Sequence, residues 1–260
     1  MKRLALAGLA AGILAIGPAM SADLSVRRAA PILKAPPPAP VMTWTGCYLD
    51  GGGGFGFWKQ DLSASGGGLP AGTVSTSAGG NGWFGTVGGG CDYQVNQNWL
   101  IGGFAYGDFG SLTGTPSIAT VQGNEKNDSA WGFGGRLGYI VAPNLLTYFE
   151  GGFTQAHFER VDLSSVFAPG ASTGTSIPDH NYSGYFIGGG VEYALPWYPG
   201  LFLRSDYRYA KYNTDNIGVV TTATGAATGA VLSSAKAIQT VRTELVFRFN
   251  PGGFPVMSRY

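Results

Sequence analysis

The chain has 260 residues, 12% of them charged, and a formal net charge of +1, so it lacks the basic character of a nucleic-acid-binding protein. It contains 44 glycines, about 17% of the residues against a usual ~7%, without a collagen repeat. Glycine weakens the strands of a soluble sheet but suits the tight curvature of a barrel.

The first 22 residues predict an export signal. Lys2 and Arg3 precede an apolar run from Leu4 to Ile16, and small residues follow up to Ala22. The run is too short for a spanning helix, which needs ~20 apolar residues. We therefore predict a cleaved signal peptide over 1–22. The Pro-rich segment that follows predicts an extended periplasmic linker over 23–42.

From residue 43 onward, apolar residues keep to alternate positions in eight segments. In the segment that contains Arg136, for example, Phe133, Leu137 and Tyr139 share one parity and Arg136 has the other. Such alternation is typical of a strand with a different solvent on each face. The eight predicted strands are 43–58, 82–95, 99–109, 128–142, 145–160, 180–196, 201–213 and 233–249.

The connections between these strands alternate in length. Those at 96–98, 143–144 and 197–200 are tight turns, whereas the four at 59–81, 110–127, 161–179 and 214–232 are long and rich in Gly, Ser and Thr. Short turns on one rim and long loops on the other are typical of outer-membrane barrels. We therefore predict an all-β fold, an eight-stranded antiparallel transmembrane β-barrel with up-and-down meander topology, over 43–249. A C-terminal tail follows at 250–260.

The second parity row predicts what fills the barrel. An eight-stranded barrel is only wide enough for side chains, and unpaired charges there would be costly. The row mixes both signs, which predicts a lumen plugged by ion pairs. The predicted network is Asp50, Asp92, Arg136, Glu150, Glu192, Arg204, Asp206, Arg208, Arg242, Glu244 and Arg248; Asp108 has the same parity as Phe104 and Tyr106 on the least regular strand.

Aromatic residues near the short turns predict a girdle at the periplasmic interface, where an amphipathic ring bridges lipid and water. They are Trp44, Tyr48, Tyr93, Trp99, Tyr139, Tyr148, Tyr193, Trp197 and Tyr198.

Cys47 and Cys91 share the outward parity and lie at similar distances from the periplasmic ends of adjacent strands. In an oxidising compartment they could form a disulfide. The alternative is that both are small apolar side chains on a lipid-facing surface.

Two patterns raise the question of catalysis. Gly51, Gly53 and Gly56 spell G-x-G-x-x-G, but a dinucleotide site needs that run to open a helix, and here a strand continues. His157 and His180 lie near the long-loop rim, where they could serve a lipid-A hydrolase or acyltransferase with Glu159 and Ser183. The simpler interpretation is polar rim residues that contact lipopolysaccharide headgroups. We predict no enzyme, no cofactor and no metal site.

Several motifs resemble one family. The segment WTGCYLDGG at 44–52 is similar to the WTGFYIGG opening of small alphaproteobacterial outer-membrane proteins of the RopB and surface-antigen type, in the wider OmpA-like and opacity-protein group. RLGY at 136–139, GGVEY at 189–193 and RSDYRY at 204–209 resemble further segments of that family. The resemblance implies an eight-stranded outer-membrane barrel without a catalytic role. The sequence departs from it after Phe249, where the family's chains usually end, and at Glu244, where the family often has Gly.

The combined prediction is a structural protein of the bacterial outer membrane that contributes to envelope integrity and presents surface loops. The alternative is a small, porin-like diffusion channel, since the many inner glycines leave room for water; a lipid-A-modifying enzyme is the third hypothesis. The expected partners are outer-membrane lipid and lipopolysaccharide, and the barrel-assembly machinery during insertion. The sequence does not identify host or envelope partners for the loops, and we expect no binding to nucleic acid.

Overall fold

The computed structural model describes residues 43–67 and 69–249, all of them in strands, turns or irregular segments. Within these ranges no helix is long and apolar enough to cross a membrane. The predicted signal peptide, the whole Pro-rich linker and the C-terminal tail lie outside the described residues. The strands are β1 (Gly46–Gly66), β2 (Leu69–Gln94), β3 (Trp99–Gly114), β4 (Ser117–Ile118), β5 (Val121–Gln122), β6 (Glu125–Ala142), β7 (Leu145–Phe158), β8 (Val161–Ser165), β9 (Ser172–Ile177), β10 (His180–Ala194), β11 (Leu201–Tyr212), β12 (Asp215–Thr221) and β13 (Ala227–Phe249).

Eight long strands form a closed antiparallel ring, which confirms the predicted barrel. Its order is β1-β2-β3-β6-β7-β10-β11-β13, and β13 pairs back onto β1. The closing pair runs from Cys47, opposite Phe249, to Gly66, opposite Ala230. The last predicted strand is therefore the closing strand, and no ring strand is left with a free edge.

The prediction of four long loops was wrong. β1 and β2 continue through the first of them as a paired ribbon, and the other three contain β4, β5, β8, β9 and β12. These segments have no apolar alternation of the kind that marks a lipid-facing strand, because their outer face meets water. Backbone pairing nevertheless extends the sheet in the order β13-β12-β9-β8-β5-β4.

The outward rows of the ring define a lipid band at the short-turn end. From Cys47 to Phe57 on β1, and on the segments of β2 and β13 that pair with it, no outward residue is charged. Leu49, Leu137 and Phe149 are 62%, 48% and 79% exposed. Ten residues of strand tilted by ~40° give a height of about 25 Å, the usual apolar band of such barrels. Beyond it, the outward residues Lys59 and Asp61 are exposed charges.

Three of the nine predicted girdle residues are not in the girdle. Trp44, Tyr48 and Tyr148 point into the barrel and are 2%, 2% and 4% exposed. The prediction took nearness to a turn as sufficient, although the parity of Tyr48 and Tyr148 is that of the inner row. The other six remain at the outer surface near the short turns: Tyr93, Trp99, Tyr139, Tyr193, Trp197 and Tyr198.

Apolar side chains form layers between the charged groups inside the barrel and at the ends of the charged region. Trp44, Leu100, Leu146 and Val246 pack together at the short-turn end. A second cluster around Trp58 lies farther along the barrel. A third lies beyond the lipid band, inside the extended strands.

Candidate functional site

The charged interior of the barrel is the candidate site, and strand alternation places its side chains. Each ring strand directs every second residue inward, so facing strands bring carboxylates and guanidinium groups to common levels. The charged residues group at three levels, which we call the lower network, the middle network and the upper pair, counted from the short-turn end.

Glu192 is the centre of the lower network. Its Oε1 accepts a hydrogen bond of 2.7 Å from Arg248 Nε, and its Oε2 accepts one of 3.2 Å from Arg136 Nη1. Arg204 donates to the same Oε2 from Nε and Nη2, both at 3.1 Å. The Glu192 side chain is 0% exposed, so its charge is balanced by these three cations in place of water.

The remaining acids of the lower network use the same three arginines. Asp92 accepts from Arg136 Nε at 2.8 Å and from Arg248 Nη1 at 2.7 Å. Asp50 and Glu244 both accept from Arg204 Nη1, at 2.9 and 3.3 Å. Four carboxylates and three guanidinium groups therefore form one connected set across the full width of the barrel.

The ring of Tyr48 lies among the same guanidinium groups. The Cζ atoms of Arg136, Arg204 and Arg248 are 4.7, 4.6 and 5.0 Å from its centroid, within the range of cation–π attraction. Arg248 also donates from Nη1 to the carbonyl oxygen of Trp44 at 3.2 Å, which ties the network to the apolar layer below it.

The middle network contains Arg208 and Arg242. Arg208 forms a two-point pair with Glu150, and its Cζ lies 4.4 Å from the centroid of Tyr106. Arg242 donates to Asp206 at 3.1 Å and to Asp108 at 3.3 Å. Tyr106, Asp108, Arg208 and Arg242 border a cavity of about 30 Å³, a volume that has room for one or two water molecules.

The upper pair was missed by the sequence prediction. Lys236 Nζ donates to Glu125 Oε1 at 2.5 Å, and the lysine side chain is 0% exposed. Its Nζ lies 4.1, 4.9 and 5.2 Å from the rings of Phe158, Tyr182 and Trp58. Lys236 has the inward parity of β13 and could have been found, whereas Glu125 fell in a predicted loop.

The structure brings all eleven predicted lumen residues inside the barrel, but it pairs some of them differently from the simplest expectation. Arg136 and Glu150 face each other in the β6–β7 register. Arg136 nevertheless bonds Asp92 and Glu192, and Glu150 bonds Arg208. Long side chains cross the lumen to partners on other strands, which a strand-by-strand pattern does not reveal.

The inner glycines do not leave open space. A Cβ added at Gly188 would lie 2.9 Å from Arg208 Cγ, and one added at Gly190 would lie 2.8 Å from Tyr148 Oη. Neighbouring charged and aromatic side chains occupy the volume above these glycines. Small residues here are required for the networks to fit.

Cys47 and Cys91 are direct cross-strand neighbours in the β1–β2 register, and their Sγ atoms are bonded. The bond closes a sequence separation of 44 residues at the short-turn end of the lipid band.

The residues considered for lipid modification have separate partners. His157 Nδ1 lies 2.7 Å from Asp128 Oδ1. Ser183 accepts from Gln155 Nε2 at 3.1 Å. Glu159 accepts from Lys126, and His180 contacts Asp215 at 3.1 Å. The described residues bring no group of three His, Cys, Asp or Glu side chains into metal-binding geometry.

The comparisons with known proteins agree with this architecture. No protein-family model matches the chain. The chain is 28% identical over 263 residues to the 31 kDa outer-membrane immunogenic proteins of Brucella melitensis biotype 1 and Brucella suis biovar 1, with 96% of this chain and 100% of each relative covered.

A solved structure shows the same fold. The outer membrane protein OprG from Pseudomonas aeruginosa superposes with a TM-score of 0.52 at 13% identity, covering 79% of this chain and 97% of OprG. These findings confirm the resemblance to outer-membrane surface antigens that the motifs indicated. The chain is therefore a β-barrel protein of the outer membrane and a homologue of the Brucella 31 kDa outer-membrane proteins.

Proposed function

We propose that this protein is a structural, non-conducting barrel that contributes to envelope integrity and presents a folded part outside the membrane. The observation that carries the proposal is the connected lower network around Glu192, which extends across the lumen with side chains that are 0–5% exposed. Because outer-membrane barrels have short periplasmic turns, the lower network lies near the periplasm and β4, β5, β8, β9 and β12 lie outside the cell.

A non-catalytic role is part of this proposal. His157, Ser183 and Glu159 each contact a different polar residue, so they do not form a nucleophile with its base. The relatives are named immunogenic proteins, and by similarity we propose that the external part of this chain is exposed to antibodies. Lipid and lipopolysaccharide on the outer rows, and the assembly machinery at β13, are the partners that this role requires.

Conductance separates the proposed role from that of a small diffusion channel. Purified protein inserted into planar bilayers should give no steady current across the range of potentials at which porins conduct. A steady current that scales with the number of inserted barrels would favour the diffusion channel and contradict the plug.

Orientation is tested on intact cells. A peptide tag inserted at Gly225, in the exposed turn between β12 and β13, should bind antibody without permeabilisation. The same tag in the Pro143–Asn144 turn should bind only after permeabilisation. The opposite result would reverse the proposed orientation.

A further inference from the structure

The part of the sheet beyond the lipid band has an interior of its own. We call this part the outer sheet; it consists of β4, β5, β8, β9 and β12 with the adjoining ends of β1 and β13. Leu62, Ile118, Leu163, Val219 and Leu232 pack inside it. β4, at the end of the sheet order, contacts β1 and β2, so the outer sheet curves around this apolar interior.

A cavity of about 260 Å³ lies within the outer sheet. Leu163, Val219 and Leu232 line it together with alanines, glycine and threonines, and none of its described lining residues is charged. This separates the cavity chemically from the lumen, where every level holds carboxylates and cations. An ion would lose its hydration in this cavity without gaining a partner.

The volume limits the size of an occupant. A dry apolar cavity of ~150 Å³ admits benzene, and pockets for drug-sized molecules begin at ~300 Å³. A cavity of about 260 Å³ therefore fits a molecule of one or two rings.

The threonines supply a polar contact. Thr228 lines the cavity, and its hydroxyl donates to the carbonyl oxygen of Val219 at 2.8 Å. The proton is used in that bond, and one lone pair of Thr228 Oγ1 accepts a hydrogen bond of 3.3 Å from the backbone N–H of Ala230. The second lone pair is left to accept a hydrogen bond from a ligand. A ligand with one N–H or O–H group matches this acceptor better than a pure hydrocarbon does.

The space below the cavity narrows toward the lumen. A small cavity of about 20 Å³ shares Ile118, Leu163 and Leu232 with it and ends at Gln60 and Glu125. Glu125 is paired there with the buried Lys236. A molecule in the outer cavity is thus separated from the lumen by the upper pair, which is the arrangement of a binding site and not of a transport path.

We propose that the outer sheet binds a small uncharged aromatic molecule with a single hydrogen-bond donor in this cavity. The site is independent of the lumen networks, and its failure would leave the proposed structural role untouched.

The test is a titration with indole followed by methyl NMR of the protein in lipid nanodiscs, with Ile, Leu and Val methyl groups labelled. Leu163, Val219 and Leu232 methyl shifts should change and then saturate. The lipid-facing methyl groups of Leu245 should change only in proportion to the indole that partitions into lipid. A wild-type response that is linear at every methyl group would overturn the proposal.

Variants that fill the cavity, and a control variant on the lipid face, test whether indole binds in this cavity. Ala64→Phe fills the cavity from β1 and should abolish the saturating shifts, whereas Ala105→Phe adds the same ring to the lipid face and should preserve them. Ala230→Leu fills the cavity from β13, the strand paired with β1, and replaces Ala64→Phe if that variant does not assemble. Saturating shifts that persist in an assembled, filled variant would place indole elsewhere and refute the site.

Discussion

Replacing Glu192 by Gln tests whether the lower network stabilises the barrel through charge pairing. The substitution keeps the volume and one acceptor oxygen but removes the charge that Arg136, Arg204 and Arg248 share. Breaking a buried ion pair by neutralising one partner costs about 3–5 kcal/mol. Because Asp92, Asp50 and Glu244 still balance part of the positive charge, we expect a loss near the lower end, about 3 kcal/mol.

The assay is equilibrium unfolding in urea with the protein in lipid vesicles, followed by tryptophan fluorescence and by heat-modifiable mobility on detergent gels. A shift of the midpoint at unchanged slope reports a change in stability alone. Glu159→Gln is the matched control, because it removes the same charge from a pair with Lys126 that is half-exposed to water. The control should unfold like the wild type. Equal stability of the two variants would refute the reasoning that burial makes the lower network important.

Three further predictions follow from the same structure. Leu137→Arg should destabilise the assembled barrel by about 2–4 kcal/mol, the cost of an arginine on the lipid face at the bilayer midplane, since this side chain is exposed on the outward apolar row of β6; an unchanged unfolding midpoint in vesicles would contradict the parity assignment. A thiol reagent should find no free thiol in denatured, unreduced protein and two after reduction, because Cys47 and Cys91 are bonded; two thiols before reduction would show separate side chains. Lys236→Met should cost several kcal/mol by leaving Glu125 unpaired, and Glu125→Leu in the same chain should restore part of that loss; a double variant less stable than the single one would mean that the pair acts through geometry and not charge.

The barrel could be predicted from the sequence because lipid imposes a simple rule on every spanning strand. Leu137 and Arg136 differ in parity, and only one of them can face lipid, so alternation gives both the strand and its orientation. The same rule identified the charged inner row, because it applies residue by residue.

What lies outside the lipid band could not be predicted in this way. Water on the outer face removes the need for apolar residues there, so Glu125 sits in a strand whose sequence reads as a loop. Ion-pair partners are equally hidden, because Arg204 reaches Asp50 across 154 positions of sequence. That pairing depends on the barrel's closure and on side-chain length, neither of which a local pattern contains.

The way the ring closes has a consequence for the order of assembly. Arg248 lies on the final strand, and its partners Asp92 and Glu192 lie on the second and sixth strands of the ring. Until β13 docks against β1, these two carboxylates lack that cation, and the contacts that join the ends of the chain are the slowest to form. The network is therefore complete only when the barrel closes. Its electrostatic energy stabilises the closed barrel and not the open sheet that precedes it.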